Sequence, residues 1–71
     1  MSNDIALIEY YYHLASQSFE TGNYTQAASL YKQCYDLYEN SDLYVFDKGL
    51  KNTAQDALRK YQAIKENHLN H

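Results

Sequence analysis

The chain contains few groups from which a reaction could be assembled. Its one thiol, Cys34, would need a base such as His13 to act as a nucleophile. Cys34 instead shares a helical face with Leu30, Tyr31, Leu37 and Tyr38, so its pattern is that of a buried packing residue. His68 and His71 stand three apart and would share a metal on a helix, but no cysteine joins them, and they read as a solvated terminus. Glu20 and Asp36 lack a second carboxylate at a spacing that would pair them for acid–base work. Gly22 and Gly49 are isolated, so no glycine-rich loop is available to cradle phosphate. These patterns predict a protein that is not an enzyme, with no catalytic residue, no cofactor and no metal. Binding is the activity left.

The elements that would position a binding face are helices. Zero prolines and two glycines in 71 residues argue against the turn-rich chemistry of sheets. One valine and three isoleucines are poor strand stock, whereas nine tyrosines and eight leucines must supply most of the core. A chain of this length is one domain at most and buries roughly 60% of the surface its unfolded form exposes. A single cysteine excludes an internal disulfide and suits a reducing compartment. With no secretory leader and no apolar run near the roughly 20 residues of a membrane span, a cytoplasmic location is expected.

Charge is unevenly spread. Residues 1–47 carry seven acids against Lys32 alone, a sum of −6, while residues 48–71 sum to +3. Such a chain lacks the dominant basic face of a nucleic-acid binder. The asymmetry would draw the last helix onto the first two, or steer two copies together.

Asn3 or Asp4 caps a first helix over about 4–21, in which Ile8, Tyr11 or Tyr12, Ala15 and Phe19 recur at helical spacing. Leu7, Tyr11, Leu14 and Ser18 widen that stripe enough for two neighbours. Gly22 then suits a left-handed helix stop, and Asn23 with Gln26 forms an N-x-x-Q start, leaving almost no loop. Two helices so joined fold back antiparallel. The second, about 24–39, presents Tyr24, Ala27, Leu30, Tyr31, Cys34, Leu37 and Tyr38, and ends in Glu39-Asn40-Ser41-Asp42. A third, about 42–66, starts at Ser41 or Asp42 and buries Leu43, Phe46, Leu50, Ala54, Ala57, Tyr61 and Ile64. Gly49 and a possible Thr53-x-x-Asp56 capping box suggest a kink or fresh start near 47–53, and 67–71 reads as a frayed polar tail. The fold class is all-α: an antiparallel helix hairpin plus a third helix.

Tyr11 to Tyr38 resembles a tetratricopeptide repeat. Tyr11, Leu14 and Ala15 stand at its first positions, Gly22-Asn23-Tyr24 at its turn, and Ala27 and Tyr31 at its A-x3-F pair. Ser18 replaces an expected aromatic, Glu39 stands where proline is usual, and a shift of 34 residues finds no good second copy. The same turn, with Leu30, Tyr31 and Tyr61, is also similar to the three-helix MIT domain of endosomal-sorting and related ATPases. In that second case helix two runs on through Tyr44 or Phe46 and turns at Asp47-Lys48-Gly49. The repeat resemblance implies a partner-binding face at Glu9, Tyr12, Ser16, Phe19 and Glu20. The same positions in some chaperone-binding repeats hold a Lys and Asn clamp for a terminal carboxylate, whereas this first helix has no basic residue. A basic or apolar peptide or helix of another protein is the expected partner, making the chain an adaptor or regulator. The alternative is a structural module that associates with its own copy, since a small core and a broad stripe favour a symmetric dimer.

Overall fold

The computed structural model describes residues 4–41 and 48–69. It is an all-α three-helix bundle: α1 (Asp4–Glu20), α2 (Tyr24–Glu39) and α3 (Lys48–Ile64), with a π-helical turn over Lys65–Leu69 continuing from α3. The central helix is α2, which packs on both α1 and α3, while α1 and α3 meet along a narrower strip. Asn3, Asp42, Leu43, Tyr44, Phe46, Asp47 and His71, which enter the sequence expectations, lie outside the described residues.

The reversal between α1 and α2 is set by local chemistry. Gly22 adopts φ +83°, the left-handed region in which an L side chain is strained. Its N–H donates to the Phe19 carbonyl at 3.0 Å, and the Asn23 N–H donates to the Ser18 carbonyl at 2.8 Å. These paired bonds satisfy carbonyls that a helix end would otherwise leave open, a Schellman closure. Asn23 then begins α2: its Oδ1 accepts from the Gln26 N–H at 3.4 Å, and its Nδ2 donates to Gln26 Oε1 at 2.7 Å. The Gln26 side chain thus meets the Asn23 amide rather than its backbone N–H, because that backbone donor already closes α1. Only three residues separate the helices.

The core is Ile8, Ala15, Ala27, Ala28, Tyr31, Cys34, Tyr38, Leu50, Ala54, Ala57 and Ile64. Five of these are alanines, so the helix backbones approach closely. The closeness shows at Cys34, which is fully buried and whose thiol donates to the Ile8 carbonyl of α1 at 3.3 Å. Burial pushes this thiol up from the ordinary 9.0 to about 11.

Two sequence expectations are corrected, and a third falls at the edge of the described residues. Ser41 forms a buried bend whose hydroxyl donates to the Tyr38 carbonyl at 2.8 Å, and the expected start of the third helix at Ser41 or Asp42 runs into residues 42–47, which lie outside those described. Thr53-x-x-Asp56 caps nothing: α3 runs through it, and the Thr53 hydroxyl donates back to the Gly49 carbonyl at 3.2 Å. The frayed tail from residue 67 is instead helical to Leu69, with the His68 ring stacked on Tyr24 at 3.9 Å.

Since nothing lies within 4 Å of a Cβ placed at Gly22, substitution there tests backbone conformation alone. Gly22→Val should lower unfolding free energy by about 1–2 kcal/mol in urea titrations. D-alanine at the same position, introduced by chemical synthesis, should be at least as stable as glycine. A second expectation concerns pH. The folded thiol stays protonated where an exposed one ionises, so unfolding releases a proton between pH 9.0 and about 11. Stability should therefore fall across that window. Cys34→Ala should lack this component of the decline, so its stability deficit relative to the wild type should shrink as pH rises.

Candidate functional site

The narrow strip where α1 meets α3 opens into a groove of about 270 Å³ lined by Ser16, Phe19, Glu20, Tyr31, Lys60, Ala63 and Ile64. Helical periodicity on α1 brings Ser16, Phe19 and Glu20 to one side. On α3, Lys60, Ala63 and Ile64 follow the same rule, and Tyr31 reaches up from α2. The lining is largely apolar, with one carboxylate and one ammonium at its borders.

At one end of the groove, a polar hub joins all three helices. The Tyr12 hydroxyl of α1 donates to the Asp56 carboxylate of α3 and accepts from Lys60 Nζ at 2.8 Å. Lys60 Nζ also pairs with Asp56 at 3.0 Å and lies over the Tyr12 and Tyr31 rings at 5.0 and 5.8 Å. Those two rings meet edge to face at 5.6 Å, and the Tyr31 hydroxyl shares a 2.9 Å hydrogen bond with Ser16 Oγ. Burial, followed by the bond to Asp56, raises the Tyr12 phenol above its usual range. The Tyr12 hydroxyl is the main cause holding the Asp56 carboxyl below its usual range, and it also leads the upward shift of Lys60.

At the other end is an aromatic cluster. The Phe19 ring meets Tyr24 edge to face at 5.3 Å and His68 at 5.8 Å. Phe19 remains 41% exposed, so one side of its ring is held and the other is offered to the groove.

The five sequence candidates are thus divided. Ser16, Phe19 and Glu20 line the groove. Tyr12 is half-buried and tied to α3, outside the lining but adjoining it through Lys60 and Tyr31. Glu9 is exposed on α1, two turns before Ser16, and takes no part in the lining. The groove residues that the sequence did not single out are Lys60 and Ala63, while Tyr31 and Ile64 read only as core. A signal for Lys60 was present: it sits three residues after Ala57 and four before Ile64, on the edge of the buried stripe. The cation missing from α1 therefore comes from α3, already engaged by Asp56 and Tyr12. Among the described residues, no group of three or more His, Cys, Asp or Glu is placed to hold a metal ion. No helix among them is long and apolar enough to cross a membrane.

The fold and site define an all-α three-helix bundle with an apolar groove between its first and third helices. Neither a known family, nor a curated protein, nor a solved structure matches this chain.

Tyr12→Phe keeps the ring packing and removes only the hydroxyl that bridges α1 to α3. It should cost about 1 kcal/mol near neutral pH. Because Asp56 is held low mainly by that hydroxyl, its contribution exists above the ordinary 3.8 and is lost as pH falls below it. The gap between wild type and Tyr12→Phe in urea titrations should accordingly narrow in acid.

Proposed function

We propose that the chain is a non-enzymatic interaction module that takes a peptide or helix of another protein into the groove between α1 and α3. The observation that carries this reading is Phe19, a large apolar ring left 41% exposed at the wall of an apolar groove. Large exposed aromatics supported on one side are the usual anchors of such contacts. The mouth has room for an apolar side chain of the partner against Phe19, Ala63 and Ile64. Exposed Glu20, with Glu9 about three turns away on the same side of α1, favours a partner bearing Lys or Arg. Lys60 offers little to a carboxylate, since Asp56 and Tyr12 already engage it.

The repeat-like reading fits this role better than the MIT-like one. Helix α2 stops at Glu39, where the Asn40 N–H donates to the Asp36 carbonyl at 3.0 Å and Ser41 folds onto Tyr38. An MIT-like second helix would run on past this point.

Selection of peptides from a random displayed library tests the proposal. Wild-type protein should enrich sequences that combine an apolar anchor with nearby basic residues. Phe19→Ala should lose those binders about tenfold or more while remaining folded, its own stability falling by only about 1 kcal/mol. Glu20→Gln should weaken them less, and the difference should vanish at high salt. Enriched peptides that bind Phe19→Ala as tightly as wild type would remove the groove from consideration.

A further inference from the structure

Helix α1 has a second apolar side that the bundle leaves partly open, with Tyr11 at its inner edge packed against the core. Leu7 is 38% exposed, Tyr10 is 56% exposed, and Tyr11 and Leu14 are half-buried. At 100° per residue these four cluster about 180° around the helix from Ser16, Phe19 and Glu20. The two surfaces are therefore independent, and association through this one does not require the groove to bind anything.

The sequence along this side reads the same in both directions in its apolar positions: Leu7-x-x-Tyr10-Tyr11-x-x-Leu14. An antiparallel copy of α1, related by a two-fold axis passing between positions 10 and 11, would set Leu7 against Leu14 of its mate and Tyr10 against Tyr11. The Tyr10 and Tyr11 rings are already a pair at 6.0 Å, so the axis would gather four rings. A foreign helix has no reason to match a pattern centred in this way. A second copy does, because an isologous contact requires a surface to complement itself.

Charge supports the same occupant. Between Leu7 and Leu14, this side carries no ionisable acid or base besides the phenols. The acids Glu9 and Glu20 fall on the opposite half of the helix, so they would not be brought face to face when two copies meet. Antiparallel pairing also sets the two helix dipoles head to tail. A contact along one such helix side buries on the order of 1,000 Å² in total, the lower edge for a specific interface, so the pairing belongs in the micromolar range.

We infer that this chain forms a two-fold antiparallel dimer through Leu7, Tyr10, Tyr11 and Leu14 of α1. Sedimentation velocity should show the mass rising from 8.3 kDa toward twice that value between low and hundreds of micromolar. Tyr10→Lys and Leu7→Glu should hold the protein at the monomer mass with helical circular dichroism unchanged. If either loses helix content, Tyr10→Ala, which removes only an exposed ring, must still raise the dimer Kd about tenfold or more. The register has its own test in a Cys34→Ala background. Two copies of Leu14→Cys would lie about 10 Å apart along the pair and should not form a disulfide together. Leu14→Cys mixed with Leu7→Cys should form one readily. A wild-type monomer throughout the range, a dimer that survives Tyr10→Lys, or a Leu14→Cys protein that crosslinks to itself would each overturn the inference.

Discussion

The close approach of α2 to its two neighbours is the constraint on which the rest of the molecule depends. It is made possible by small residues: Ala15 of α1 and Ala27 and Ala28 of α2 lie in the core near the turn, and Ala54 and Ala57 line α3. The Cys34 thiol reaching the Ile8 carbonyl shows how little space remains between backbones. Larger residues along this seam would force the helices apart and break the ring and hydroxyl contacts at its edges. With the centre so thin, the bulky residues are displaced to the flanks. Tyr12, Tyr24, Tyr35 and Tyr61 pack there half-buried.

Tyrosine suits that arrangement because a ring can fill a flank while its hydroxyl finds a partner. Tyr31 does so with Ser16, and Tyr12 with Asp56 and Lys60. The latter hub is also how charge contributes to the fold. Asp56 pairs with Arg59 and Lys60 of its own helix, and the Lys60 contact to α1 runs through a phenol oxygen and the face of its ring. The excess of acid in the first part of the chain and base in the last therefore works here through a neutral intermediary. Tyr12 belongs to the scaffold of the groove, whereas Phe19, braced by Tyr24 and His68, stays partly exposed at its wall.

Features governed by neighbours in sequence were legible from it. Gly22 and Asn23 end one helix and begin the next by their own backbone and side-chain chemistry, and the inward faces of all three helices follow from a 3.6-residue period. Features governed by distant residues were not. Lys60 enters the groove because Tyr12, 48 positions earlier, accepts its hydrogen bond. His68 stacks on Tyr24 across the bundle, a contact that no neighbour in sequence announces. Thr53 carries a side chain that caps a helix in one backbone setting and bonds back to a preceding carbonyl in another, and the surrounding structure decides which. Of the candidate site, the α1 half could be read from periodicity, and the α3 half had to await the pairing of helices.

Helix α1 explains why a bundle this small would present more than one surface. Its buried edge, Ile8 and Ala15, faces α2, yet apolar residues continue to both sides: toward α3 through Tyr12 and Phe19, and away from it through Leu7, Tyr10 and Leu14. A helix apolar over so much of its circumference is characteristic of a buried one, and a three-helix bundle can cover only part of it. Covering the far side with a second α1 would add apolar burial that a chain of 71 residues cannot supply alone. It would also leave the two grooves facing away from each other, since they lie on the opposite side of the same helix. A partner carrying two suitable segments would then be held at both, and the second contact would form at the high effective concentration set by the first. In that arrangement, a weak groove on a weak dimer would suffice for firm capture, and neither surface would need the area or charge that strong binding by a lone module would demand.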